Sequence, residues 1–278
     1  MNEDRRPVDA KTTADHPELA AARLLWRHWQ AGTVLQTLPA NLRPTTRAQG
    51  HAVQAKLPLV SNQTVAGWKI AATSVVGQHH IGVSGPLTGR LLAGQINEET
   101  SALPLLGNRM RVTEPEFAFR FARTLERRGR PYEMDEIMAA VASLHPSIEV
   151  PDSRYADFAH AGEAQLIADN ACAWRFVLGP AAPPQWRGLD LAAHAVSASV
   201  TTADRSSRQR GGSGSNVLGD PRRALAWLVN ELSALNIELE AGEIVMTGTC
   251  MAPLEIAPGD LVIADFGPLG RVSVRFSA

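Results

Sequence analysis

The chain has 278 residues, 45% apolar and 20% charged, and its 27 Lys and Arg nearly balance 28 Asp and Glu to leave a net charge of −1. Such a composition excludes a disordered chain and can bury one large core. The even charge balance leaves no broad basic face for nucleic acid or an anionic membrane, so a small molecule is the expected partner. Two cysteines, Cys172 and Cys250, cannot build a disulfide framework and lack a C-x-x-C spacing; this fits a reducing cytoplasm, with both thiols read as small buried hydrophobes.

Residues 1–15 are polar and read as a loose tail without a secretory signal, and no run approaches the about 20 apolar residues of a membrane span. Asp15-His16-Pro17 opens a helix with proline in the first turn. Leu19, Ala22, Trp26 and Trp29 fall on one of its faces, and Gly32 ends it. A second helix after Thr45-Thr46 carries Val53 and Leu57, so residues 16–64 form a helical N-terminal appendage.

From residue 65 to 278 the texture is β-rich. TVAGWKIAA, VTEPEFAFRF, SIEV, WRFVL, AVSASVTT, EIVMTG, DLVIADF and RVSVRF are short runs bounded by Gly, Pro, Asn or Asp. Two helices interrupt them. MDEIMAAVASL places Met134, Ile137, Met138 and Val141 on one stripe, and GDPRRALAWLVNELSAL starts with Asp220 as N-cap and Pro221 behind it, burying Leu225, Leu228, Val229 and Leu232. Strands and helices do not alternate regularly, which predicts an α+β fold rather than a doubly wound parallel sheet. Gly211-Gly212-Ser213-Gly214-Ser215 matches neither dinucleotide nor P-loop spacing and reads as a flexible or subunit-contacting loop. Gly267-Pro268-Leu269-Gly270 joins the last two strands as a hairpin.

The chemistry concentrates in RVTEPEFAFRF. Alternate strand residues share a face, so Glu114 and Glu116 point together, ~7 Å apart along the strand, while Phe117, Phe119 and Phe121 point into the core. Pro115 between them deletes a ladder donor and suggests an edge or a bulge. Two carboxylates that close repel unless one takes a proton or a cation lies between them. Oxygen donors of this type suit Mg²⁺, Mn²⁺ or Ca²⁺, and Glu149, a lone acid between Ile148 and Val150, is the candidate third ligand. Exposed glutamates on a solvated strand face are the competing reading.

GWKIAATS, EPEFAF, HPSIEVPDSR, DNACAWRFVLG, NVLGDPRRALAWLVNEL and the long block VMTGTCMAPLEIAPGDLVIADFGPLGRVSVRF, in that order, resemble the 2-keto-4-pentenoate hydratase and 4-oxalocrotonate decarboxylase branch of the fumarylacetoacetate hydrolase superfamily. The resemblance runs from about Val65 to the C-terminus. It implies a mixed β-roll core with outer helices and a Mg²⁺ or Mn²⁺ site built from Glu114, Glu116 and Glu149. Lys69 would pair with a substrate carboxylate or enolate oxygen. Thr247 and Thr249 would lie near the substrate carboxylate, with Asn170 a further binding candidate. The implied activity is hydration of a short unsaturated 2-oxo acid of the 2-hydroxypenta-2,4-dienoate type in aromatic catabolism, by a homo-oligomer that can associate with a related pathway enzyme.

The chain also departs from that pattern. The family's loop G-V-D-x-P-D-F-G reads here Gly82-Val83-Ser84-Gly85-Pro86-Leu87-Thr88-Gly89, without either aspartate, and its D-N-A-S-S segment ends in Cys172 and Ala173. Either a neighbour such as His79 or His80 carries the proton, with His80 the named catalytic candidate, or the reaction is a decarboxylation or C–C hydrolysis that does not need those aspartates. A non-catalytic partner subunit is the third reading.

Overall fold

The computed structural model describes residues 16–97 and 102–278; the expected tail at residues 1–15 lies outside them. Helix α1 (Pro17–Ala31) starts at its proline and stops at Gly32. Its buried stripe is Ala21, Ala22 and Leu25, while Leu19, Trp26 and Trp29 stay half-buried. The small residues let the helix pack closely, and Trp29 is kept at the boundary by the Arg154 guanidinium 4.2 Å from its ring. Helix α2 (Arg47–Gln54) follows Thr46, whose hydroxyl caps the Gln49 N–H. After α3 (Leu57–Ser61), the N-terminal segment closes with Leu38 and Val53 against Tyr155 and Ala168 from the rest of the chain.

The remaining residues supply β1 (Val65–Ala71), α4 (Val75–His80), β2 (Leu87–Leu92), β3 (Ile96–Asn97), β4 (Ala102–Pro104), β5 (Val112–Phe121), α5 (Met134–Ala140), β6 (Val141–Val150), α6 (Glu163–Ala168), β7 (Arg175–Leu178), β8 (Ala195–Thr201), β9 (Ser207–Ser213), α7 (Pro221–Ala234), β10 (Ile244–Thr249), β11 (Leu254–Glu255), β12 (Leu261–Asp265) and β13 (Arg271–Ser277). They form two sheets, one ordered β2-β1-β10-β5-β6-β7-β3 with β11 also on β5, the other ordered β4-β13-β12-β8-β9. This mixed arrangement with outer helices is the α+β class expected. Phe117, Phe119 and Phe121 enter the main core as the strand alternation requires, Phe117 edge-on to Phe266 at 5.1 Å and Phe119 against Trp186 at 5.9 Å. Asp220 caps α7, which buries Leu225, Leu228, Val229 and Leu232.

Five expectations are corrected. Helices α4 and α6 add to the two expected after residue 65, and Leu57 opens α3 instead of continuing the helix that carries Val53. The SIEV strand reaches back to Val141, so α5 stops at Ala140 instead of continuing through ASL; Val141 pairs with Phe121, and Pro146 bars a helix just ahead. The glycine-rich segment is not a free loop at its start, because Gly211, Gly212 and Ser213 belong to β9, and a Cβ on Gly212 would lie 2.1 Å from the Cys250 carbonyl oxygen. Pro115 is not at an edge. Strand β5 is internal, and the irregularity sits on its neighbour β10, whose register shifts between Met246 and Thr249.

Candidate active site

Register alone brings the acids together. Glu114 on β5 is the direct antiparallel partner of Glu149 on β6, so the two share a face, and Glu116 lies one pleat further along the same face. Like charges directly opposite destabilise a sheet, and this arrangement adds a third. Met246 pairs with Lys69 of β1 on one side and with Ala118 of β5 on the other, which puts the lysine on that face too.

The carboxylates of Glu114, Glu116 and Glu149 offer oxygens that all lie within 4.8 Å of one another. Glu116 and Glu149 are fully buried and Glu114 is half-buried. Lys69 Nζ stands 2.9 Å from Glu149 Oε1 and donates to the Ala171 carbonyl at 2.9 Å. The Gly248 N–H donates to Glu116 Oε2 at 2.9 Å, while Glu116 Oε1 and Glu149 Oε2 are buried with no hydrogen-bond partner. Gly248 makes this possible: its φ of +97° forms the β10 bulge, and a Cβ there would sit 2.3 Å from Thr73 Oγ1.

Three carboxylates face one ammonium in a largely buried setting. Burial, then Glu149, pushes Glu114 up to about 7. Burial, then Glu149 and Glu114, carries Glu116 well above the usual carboxylate range. Burial also raises Glu149, against the opposing pull of Lys69. For Lys69, burial favours the neutral amine, but Glu149, Glu114 and Glu116 together outweigh it and hold the pKa above its ordinary value. A divalent cation fits this set, since the donors are hard oxygens, two of them orphaned, with net negative charge left over.

Lys69 and Glu114 line a cavity of about 700 Å³, with Glu116 and Glu149 buried beside them and outside its lining, and the wall also includes His80, Cys172, Asn216, Gly248 and Thr249. A second cavity of about 320 Å³ lies beside Trp29, Arg109 and Asp152. Two of its charged groups serve the fold: Asp152 Oδ1 accepts from the Arg109 and Met110 N–H groups, and Arg154 is paired with Asp169.

A family model described as fumarylacetoacetate (FAA) hydrolase C-terminal matches residues 99–277. The chain belongs to this family. Among its relatives, a 2-keto-4-pentenoate hydratase of Paraburkholderia xenovorans is 28% identical over 261 residues, covering 93% of this chain and 94% of the relative. A 2-hydroxyhexa-2,4-dienoate hydratase of Comamonas testosteroni is 32% identical over 224 residues, covering 80% and 82%. The solved structure of 4-oxalocrotonate decarboxylase from Pseudomonas putida G7, complexed with magnesium and adipate, is 25% identical with a TM-score of 0.81, covering 93% of this chain and 97% of that one. Relatives of both names, hydratase and decarboxylase, are lyases.

Against that family background, the expected site residues divide. Glu114, Glu116, Glu149 and Lys69 meet, with Lys69 and Glu114 in the cavity wall, and His80 and Thr249 stand in the same wall. Thr247 does not: the bulge at Gly248 breaks the alternation, and the buried Thr247 hydroxyl donates to the Phe117 carbonyl at 3.0 Å. Asn170 is outside the wall as well, because its amide clasps the Arg90 backbone, accepting from the N–H at 2.6 Å and donating to the carbonyl at 2.8 Å. His79 is exposed and not part of the lining. Cys250 is buried as expected, whereas Cys172 is half-buried in the wall; burial, then Asp169, raises its thiol to about 12.

Residues not foreseen complete the frame. Asn216 lines the cavity, its amide donating to the Cys250 carbonyl at 2.8 Å. Asp169 accepts from Ser153 Oγ at 2.7 Å and pairs with the buried Arg154. This fixes a turn in which Asn170, Ala171 and Cys172 all take left-handed φ of 58°, 52° and 60°. That strained turn aims the Ala171 carbonyl at Lys69. The PDSR and DNA segments carry this pair in sequence, but only the fold shows that they hold each other. In the altered loop, the Ser84 N–H and hydroxyl both donate to Glu163, and Leu87 presents an apolar side chain to the cavity where the loop meets β2.

Proposed function

We propose that the chain is a divalent-metal-dependent hydratase acting on a short unsaturated 2-oxo acid of the 2-hydroxypenta-2,4-dienoate type, in the breakdown of aromatic compounds. The observation that carries this reading is the convergence of three carboxylates, two of them fully buried, and one ammonium beside an open cavity that Glu114 and Lys69 line. Glu114, Glu116 and Glu149 would hold Mg²⁺ or Mn²⁺. When bound, such a cation supplies positive charge where a 2-oxo acid builds up enolate character.

The chain's own groups do the rest. Lys69, kept as an ammonium by its acid neighbours, binds and stabilises an anionic oxygen of the substrate head. The Ala171 carbonyl holds Nζ in place. Thr249 offers a hydroxyl that now donates to the Met251 carbonyl at 2.8 Å and can turn to a ligand. With Ser84 and Leu87 in the loop where the family has aspartates, His80 is the imidazole in the wall that can carry a proton to or from carbon. The same loss favours a second reading, decarboxylation, which needs the electron sink but less proton handling. The deciding assay supplies 2-hydroxypenta-2,4-dienoate and, separately, 4-oxalocrotonate to the Mg²⁺-loaded protein. Metal-dependent hydration of the first, lost in Lys69→Ala, is expected. Carbon dioxide release from the second, with no hydration of the first, would replace the hydratase reading by the decarboxylase one.

A further inference from the structure

The walls of the cavity bear on which acids it can take. Ile81, Leu87, Phe158 and Leu166 pack as one apolar cluster and all line it, and Met110 and Met251 line it too. Among the described residues, Lys69 is the one lysine in the wall and no arginine joins it. Arginines of adjoining segments are used elsewhere: Arg47 on Glu163, Arg90 over the Trp68 ring, Arg154 on Asp169. Arg109 and Arg111 flank Met110 in sequence yet lie outside this wall, Arg111 with a buried Nη1 that has no hydrogen-bond partner. His80, the remaining residue able to become positive there, packs edge-on to Phe158 at 6.0 Å between centroids.

We propose that this site takes 2-oxo acids with a single carboxylate and an extended apolar tail, and selects against those with a second carboxylate at the far end. The proposal rests on the 2-oxo acid reading above. With Lys69 committed at the acidic end, a distal carboxylate would lose water and find no lysine or arginine to replace it. An apolar tail gains instead, about fourfold in affinity for each methylene buried. A volume of about 700 Å³ falls in the range of pockets for much larger ligands, about 300–1,000 Å³, so room for a longer tail is present.

Calorimetric titration of the Mg²⁺-loaded protein with 2-oxobutanoate, 2-oxohexanoate, 2-oxo-4-phenylbutanoate and 2-oxohexanedioate tests this. Expected are a gain of about fifteenfold from 2-oxobutanoate to 2-oxohexanoate, binding of the phenyl compound at least as tight, and a loss of about tenfold or more from 2-oxohexanoate to 2-oxohexanedioate. A diacid bound as tightly as 2-oxohexanoate, for example by reaching water past the exposed Val76, overturns the proposal while leaving the 2-oxo acid reading intact. So does the absence of any gain with tail length. Failure of all four acids to bind removes the 2-oxo acid reading and the proposal with it.

Discussion

Lys69 is one ammonium set against three carboxylates, and its place is fixed twice, by Glu149 and by the Ala171 carbonyl. Lys69→Ala should lower kcat/KM by about 100-fold or more, the scale of removing one preorganised charge from a developing anion, while the variant still folds and binds Mg²⁺, its metal-free form melting lower because Glu149 loses its buried partner. Collapse of the fold in that variant would show a structural lysine instead. Asn170 tests the opposite case. Its amide is used on Arg90, so Asn170→Ala should cost about 1–3 kcal/mol in urea unfolding and leave KM close to normal; a raised KM at unchanged stability would make it a substrate contact. The acids were readable from sequence because strand alternation is a strict period of two, and three glutamates in otherwise apolar strands conflict with burial unless something offsets their charge. Thr247 and Asn170 were not, because a bulge and a left-handed turn reverse the face a residue presents, and neither leaves a local mark strong enough to read.

At the scale of elements, the site is the meeting of β1, β10, β5 and β6, and the irregular element is β10. Its bulge presents the Gly248 N–H to Glu116 and brings the chain against Thr73. Gly248→Ala should therefore destabilise by about 2–3 kcal/mol through a disfavoured φ and a close contact, measured by denaturant titration, and weaken metal binding along with it. An unchanged midpoint would mean the bulge can move aside. Most strands were legible from their β-branched and aromatic runs, and α7 from its cap and stripe. The two- and three-residue strands β3, β4 and β11 were not, and neither were β2 and β9. LTGRLL follows a loop-like run and SRQRGGS is polar and glycine-rich; each is a strand because a neighbour supplies the ladder, β1 for one and β8 for the other.

For the whole molecule, the acidic cluster trades stability against cation binding. Glu114 titrates at about 7 in the fold against an ordinary 4.5, with Glu116 and Glu149 also raised. Over that window the folded protein holds more protons than the unfolded chain, so metal-free stability from this cluster is complete below the ordinary value and is lost as pH rises through the folded one. The raised Lys69 keeps its proton throughout and does not alter the sign. Metal-free protein should accordingly melt lower at pH 8 than at pH 5.5, and Mg²⁺ should raise the melting temperature more at pH 8, because the cation competes with those protons. A larger Mg²⁺ effect at pH 5.5 would contradict this. Among the described residues no helix is long and apolar enough to cross a membrane.

The most direct test of the central claim is calorimetric titration of metal-free protein with Mn²⁺ at pH 8, in wild type and in Glu116→Gln. One site per chain in wild type, weakened about 100-fold or more by removing one anionic ligand from a three-carboxylate set, with the variant melting no lower than wild type in the absence of metal, is the predicted result. No saturable binding to wild type, or equal binding by both proteins, would contradict it.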